Sequence, residues 1–490
     1  MPVITSPIDG QPFHRFELLD EAEIARRLAL ASATARAWRE SPLAERVALC
    51  RGMLRAYAAR LDENATAITR MMGKPIAQSR GEFERTIVER TEHLCTIAAE
   101  ALADEVLPAK AGFLRFIRHE PVGVVLDIAA WNYPLAIAVN VIVPAVLAGN
   151  AVLVKHATQT TLVADQFERA FLEAGAPPGL VQAMPMDHAA TARLIDSRAL
   201  GYVSFTGSVR GGHEVYRAVA QQNFIGVGLE LGGKDPALVL EDADVGFAAE
   251  NLVDGAFYNA GQSCCGIERI YVADRIADAF VEAFVARARQ YVLDDPLDPA
   301  TTLGPMVDAK SADVVRAQVA DATAKGARLL VGDRDFAVPD RSRCYLAPQV
   351  LVDVDHGMTL MSEETFGPAI GIMRVENESE GLALMNDSPY GLTASIWTRD
   401  LERGEALALD VEAGTVYVNR CDNLDPGLAW TGVKDSGFGC SLSKLGFRSV
   451  TRPKSFHLRE SPGRASREKA GKPVGHAAGK RAVRPSRRKP

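Results

Sequence analysis

Val122-Gly123-Val124-Val125-Leu126-Asp127-Ile128 and Ala151-Val152-Leu153-Val154-Lys155 are short apolar runs separated by a helix-length segment, Leu135 to Leu147. The alternation continues through Thr161 to Ala174, Ala189 to Ser197, a run at Tyr202 to Phe205, helix-like Gly211 to Gln221, and Gly226 to Leu229. Apolar runs too short for helices, alternating with amphipathic segments, predict parallel βαβ units of the nucleotide-binding type. The apolar stretch from Val122 to Val154 holds Asp127, Asn132, Pro134, Asn140, Pro144 and Asn150, so it reads as buried α/β core and not as a lipid-spanning helix.

Working outward, residues 3 to 16 suggest an extended entry with a turn, and helix starts at Asp20, whose spacing to Glu23 suggests a capping box. Helical periodicity runs through Leu43 to Leu61 and Asn64 to Glu105. Phe113 to Arg118 alternates apolar and basic side chains after Ala111-Gly112, the pattern of a half-exposed hairpin strand. Beyond Glu230 a second α/β series runs through Ala237 to Leu240, Arg269 to Val272, Leu392 to Thr398 and Thr415 to Asn419. An acidic, turn-rich loop, Asp294 to Pro299, interrupts it.

Two stretches carry candidate chemistry. Tyr258-Asn259-Ala260-Gly261-Gln262-Ser263-Cys264-Cys265-Gly266 surrounds a thiol with small residues that admit substrate and leave backbone N–H groups free. Leu229-Glu230-Leu231-Gly232-Gly233-Lys234 puts a carboxylate at a strand end before a Gly-Gly turn, where it can serve as a base. Read alone, a cysteine among small residues is more often buried filler, and Glu before Gly-Gly more often a helix cap. Phe205-Thr206-Gly207-Ser208-Val209-Arg210-Gly211-Gly212 follows a strand and opens a helix, a place for a pyrophosphate to meet free N–H groups, although it is not GxGxxG. Lys155 ends a buried strand, where an ammonium can reach ribose or phosphate or simply snorkel to solvent.

Glu230 and Cys264 lie 34 residues apart, and their two segments resemble the active-site signatures of the aldehyde dehydrogenase superfamily, Glu-Leu-Gly-Gly-Lys and Gly-Gln-x-Cys. The resemblance extends over about residues 3 to 458 and includes Trp131-Asn132-Tyr133-Pro134 and Glu363-Glu364-Thr365-Phe366-Gly367-Pro368. It implies Cys264 as nucleophile, two residues after Gln262, Glu230 as the base that hydrolyses the thioester, and Asn132 as an oxyanion donor. It implies an NAD or NADP site formed by Lys155, Trp131, Gly207, Ser208, Gly212, Leu231, Glu364 and Phe366. The family's NAD-preferring members carry a glutamate where this chain has Thr158, so both cofactors are expected to be usable. The region from Asn419 to Cys440 departs most from the family, so substrate is not carried over. Lys155-His156-Ala157 and Thr206 to Arg210 resemble a succinate-semialdehyde dehydrogenase subgroup, with Arg420 the one candidate for a substrate carboxylate. A cofactor-free Cys/Glu hydrolase, a CoA-acylating variant and a catalytically silent scaffold remain the competing readings.

The implied fold is a Rossmann-like parallel-sheet cofactor domain (1–106 and 120–229), an α/β catalytic domain (230–419) and a small β oligomerisation arm (107–119 and 447–459) that makes a homodimer or homotetramer. With 490 residues, 47% of them hydrophobic, the chain can bury a core of more than one domain. Seven cysteines without CxxC or Cys/His spacing argue for a reducing, cytoplasmic setting and no metal. The N-terminus lacks a basic and apolar leader. The net charge of −7 divides unevenly: residues 461–490 hold ten basic residues against Glu468, leaving a tail of +9 and a body of −16. That tail is read as disordered and solvated, with contact to acidic partners or nucleic acid as the alternative.

Overall fold

A computed structural model describes residues 1–460, and the basic segment 461–490 lies outside the described residues. Five parallel strands, Gly226–Glu230, Tyr202–Thr206, Val124–Ala129, Ala151–His156 and Val181–Ala183, lie side by side in that order. Their alternating helices include Pro134–Ala148, Leu162–Glu173 and Val209–Gln222. Val124–Ala129 is buried at every residue because helices cover both faces, which is why it reads as a continuous apolar run. From this strand the chain winds outward on one side through Ala151–His156 and on the other through Tyr202–Thr206. The crevice between their carboxyl ends is the switch point where open parallel sheets bind ligands. A sixth strand, Gly437–Phe438, returns from far along the chain to pair antiparallel with Leu229 and Glu230.

The second sheet has seven strands, ordered Arg328–Val331, Gln349–Val352, Ala369–Val375, Ile267–Ala273, Asp235–Val239, Thr393–Trp397 and Thr415–Val418. Only the first pairing is antiparallel. The chain passes from the first sheet to the second between Glu230 and Asp235, so the Gly-Gly turn joins the two layers. A third sheet pairs Phe113–Pro121 with Thr451–Arg459 along nine residues, with Glu105–Val106 on its other edge.

The helical N-terminal region is more broken than periodicity suggests. Asn64 to Glu105 is not one run: Leu61–Met72 stops at Gly73 (φ 82°) before Pro75, because a left-handed C-cap and a proline each end a helix. A π-helical turn, Glu82–Ile87, then leads into Val88–Ala101. The break delivers Lys74 to the Glu82 carboxylate at 2.7 Å, a buried ion pair that also receives the N–H groups of Leu135 and Ala136. That pair fixes the start of the helix just beyond Asn132.

Candidate active site

Helix Val245–Phe257 ends in a turn whose backbone sets the position of the cysteine. Asn259, Ala260 and Gly261 all lie in the left-handed region (φ 54°, 55° and 67°). A Cβ on Gly261 would come 2.3 Å from the Gly367 carbonyl, so only glycine fits there. The turn is tied by its own amides: Gln262 Nε2 donates to the Asn259 carbonyl at 3.1 Å, and Gln262 Oε1 accepts from Val307 N at 2.8 Å. Strained backbone held this firmly is typical of functional sites. It carries Cys264 to the wall of a cavity of about 400 Å³ that Glu230 also lines.

Asn132 stands directly behind that loop, 3% exposed, with its Nδ2 donating to the Gln262 carbonyl at 3.2 Å. Asn259 Nδ2 answers by donating to the Asn132 carbonyl at 3.1 Å. An amide has two N–H donors, so one remains for a substrate oxygen. Cys264, Glu230 and Asn132, distant in sequence, therefore meet around one cavity, the first two on its walls and the third backing the cysteine loop.

The two cysteines differ. Cys264 is partly exposed, whereas Cys265 is buried with its Sγ donating to Asp422 Oδ1 at 3.0 Å. Ser263 Oγ donates to the same oxygen at 3.0 Å. A hydrogen bond with the Cys264 thiol, then burial and the Asp422 carboxylate, push the Cys265 thiol well above the usual range. Burial lifts Asp422 itself to about 6.

Glu230 ends its strand and its Oε1 accepts from Ser441 Oγ at 2.6 Å. Burial raises its pKa, against which the Ser441 hydroxyl, the Arg90 charge and the Trp430 indole favour the ionised form. The net upward direction brings a carboxylate closer to neutral pH, where a general base works best. Ser441 was not legible as a site residue, since it comes from just beyond the stretch that departs most from the family.

Toward the switch-point crevice, Ser208 caps helix Val209–Gln222 by accepting from Gly211 N at 3.2 Å, and Gly207 N donates to the Glu230 carbonyl at 3.0 Å. At Gly212 a Cβ would lie 2.7 Å from the buried Leu231 side chain. Lys155 is 5% exposed and its ammonium has no hydrogen-bond partner among the described residues. Thr158 opens a short 3-10 turn and is exposed. Trp131 and Phe366 meet edge to face with ring centroids 5.5 Å apart, closing the crevice between the sheets. Glu364 accepts from Gly233 N at 3.1 Å and burial lifts its pKa to about 7. An unpaired ammonium, a capped helix start and an aromatic pair fit a dinucleotide in this crevice.

Glu268 is a further residue that sequence reading passed over. Buried, it pairs with Lys234 Nζ at 2.7 Å and accepts from Thr365 N and Phe366 N at 2.8 Å each. It thereby fixes the loop carrying Glu364 and Phe366, and no local pattern around Glu268 announces that long-range role. Arg420 is exposed and is not part of the cavity wall.

The two parallel-sheet layers place Cys264 and Glu230 on the wall of one cavity, beside a switch-point crevice of the kind that binds dinucleotides. The aldehyde dehydrogenase family model matches residues 2–456, and the chain belongs to that family. It is 36% identical over 445 residues to a succinate semialdehyde dehydrogenase [NAD(P)+] of Escherichia coli strain K12, covering 90% of this chain and 94% of that protein. A betaine aldehyde dehydrogenase of Cereibacter sphaeroides is 34% identical over 463 residues, covering 94% of each. The solved succinic semialdehyde dehydrogenase from Streptococcus pyogenes in complex with NADP+ superposes with a TM-score of 0.89 at 29% identity, covering 93% of this chain and 99% of that one.

Proposed function

We propose that Cys264 is the nucleophile, Glu230 the general base and Asn132 an oxyanion donor in the oxidation of an aldehyde to its carboxylic acid. The chain is an NAD(P)+-dependent aldehyde dehydrogenase by family. The observation that carries the residue assignment is the shared cavity, lined by both Cys264 and Glu230, with the Asn132 amide bonded to the Gln262 carbonyl of the cysteine loop.

Cys264 sulfur adds to the aldehyde carbon, and the free N–H of Asn132 with the Cys264 backbone N–H stabilises the charge that develops on oxygen. Bound nicotinamide supplies the hydride acceptor that lets this adduct become a thioester. Glu230, oriented by Ser441, then takes a proton from water as the water attacks the thioester, and carboxylate leaves Cys264. Lys155, Thr158, Trp131, Gly207, Ser208, Gly212, Leu231, Glu364 and Phe366 would hold the cofactor. Lys155 and Ser208 are the polar contacts nearest the strand ends, and Trp131 with Phe366 shuts out water near the ring.

Replacing Glu230 by Gln is the experiment that tests this division of labour. It should give one rapid equivalent of NAD(P)H per site and then stall, with a label on Cys264 trapped as thioester. Steady turnover by E230Q, or a label elsewhere, rejects the assignment. Retention of Glu230 favours water over CoA as acceptor, and a cofactor-free hydrolase would leave absorbance at 340 nm unchanged.

Succinate semialdehyde is the particular substrate that the Escherichia coli and Streptococcus pyogenes relatives suggest. All seven cysteines are free, which suits a reducing, cytoplasmic setting, and no helix among the described residues is long and apolar enough to cross a membrane. The arm strands Phe113–Pro121 and Thr451–Arg459 pair Leu114 with Leu458, both half exposed, and we assign them to a subunit contact in a homodimer or homotetramer. The three-part domain division at 106, 120, 229, 419 and 447 belongs to the same scheme.

A further inference from the structure

The cavity contains one group that the chemistry above leaves unused. Arg90, on helix Val88–Ala101, is 6% exposed and contributes to the cavity wall with Cys264 and Glu230. Only its Nη1 is engaged, donating to the Ala136 carbonyl at 3.2 Å and Asn140 Oδ1 at 3.0 Å. Its Nε is buried without any partner, its Nη2 makes no hydrogen bond and it enters no ion pair among the described residues. Burying a guanidinium with no anion in contact is costly, and Nη2, which unlike Nε is not fully covered, is a charged donor that a carboxylate in the cavity can meet.

Three of the acids around this cavity are engaged by protein groups. Glu82 accepts from Lys74, Leu135 and Ala136; Glu230 accepts from Ser441; and Asp422 accepts from Ser263 and Cys265. Glu89 and Asp254 also line the cavity, are exposed, and their side chains have no hydrogen-bond or ion-pair partner among the described residues. An anionic aldehyde entering the cavity would find the Nη2 of Arg90 without a protein partner among the described residues.

We propose that the Nη2 of Arg90 receives a carboxylate carried by the aldehyde substrate, making the enzyme selective for short oxo acids over neutral aldehydes of similar length. The proposal rests on the reading of Cys264 as nucleophile and adds the residue that reads the far end of the substrate. Arg90 also lies close enough to Glu230 to favour its ionised form, so the test separates recognition from an effect on the base.

The experiment compares 4-oxobutanoate, butanal and a trimethylammonium aldehyde in wild type, Arg90→Lys and Arg90→Met. Wild type should favour 4-oxobutanoate over butanal by about 100-fold in kcat/KM, the scale of a charged hydrogen bond. In Arg90→Met this ratio should collapse through KM, and Arg90→Lys should keep about a tenth of it, because lysine preserves the charge but not the position of Nη2. The ratio is internal to each variant, so loss of folded protein does not affect it. An unchanged ratio in Arg90→Met, a preference for the cation, or an equal kcat loss with all three substrates overturns the proposal while leaving the dehydrogenase intact. If no aldehyde is oxidised, the parent reading fails and Arg90 is judged by binding alone. Succinate should slow iodoacetamide labelling of the Cys264 peptide more than succinamide does in wild type and not in Arg90→Met, and equal protection by both overturns it.

Discussion

Cys264 and Cys265 are neighbours with the same side chain, and what separates them is a single hydrogen bond to Asp422 and a difference in access to the cavity. Cys264→Ser should reduce aldehyde oxidation by about 10,000-fold or more, because an unactivated hydroxyl is a far weaker nucleophile than a thiol. Cys265→Ser keeps a donor for Asp422 and should stay within about tenfold of wild type, since packing and not chemistry is altered. Specific activity normalised to folded protein checks both, and equal losses would overturn the assignment. At Glu230 the sign of the pH effect is set by the environment. Burial raises its pKa, so the base is lost as pH falls through a value above the usual carboxylate range. Ser441→Ala removes a donor to the ionised form, which should move the acid limb of the deacylation rate to still higher pH, and an unshifted limb argues against a positioning role. Gln262 and the small residues beside it made the cysteine legible in sequence. Ser441, Glu268 and Arg90 were not legible, because each acts through partners more than thirty residues away.

The turn from Tyr258 to Gly261 is the element on which the thiol's position depends. Gly261→Ala would force a Cβ against the Gly367 carbonyl at an unfavourable φ, so the turn must shift and carry Cys264 with it. Displacement of that size typically costs about 100-fold in rate even where the chain still folds. The expected result is a large fall in kcat with cofactor affinity largely kept, measured by single turnover and cofactor fluorescence; an unaltered kcat rejects the dependence. Strands and helices of the first sheet were readable from apolar spacing alone, because both faces are covered and burial leaves few polar interruptions. The interrupted helix between Asn64 and Glu105 was not, since periodicity registers the apolar face but misses a left-handed stop at Gly73 and a π turn at Glu82.

Across the whole molecule, the centre of the first sheet holds a group that couples stability to pH. Asp127 is 1% exposed, neither of its oxygens has a partner, and burial, with Glu230 nearby, pushes its pKa well above the carboxylate range. The native chain keeps a proton that the unfolded chain releases above about pH 4, so stability falls by about 1.4 kcal/mol per pH unit from there toward the raised native value. Asp127→Asn abolishes that slope, and its gain in Tm over wild type should be larger at pH 8 than at pH 5; a pH-independent difference would count against a buried neutral acid. The arm offers the other whole-molecule test. Leu114→Lys with Leu458→Lys should shift sedimentation toward the monomer, and an unchanged assembly removes the arm from the subunit contact. Sequence by itself determined the alternating α/β architecture, the family and the Cys264, Glu230 and Asn132 candidates, because periodicity and short motifs are local and survive in one dimension. Tertiary structure alone decided which cysteine is the more exposed, that the Ser441 hydroxyl donates to Glu230, that Gly437–Phe438 pairs at the edge of the first sheet and that Arg90 lines the same cavity as Cys264. Those facts depend on distances between segments far apart in the chain, and distance is set by packing in three dimensions.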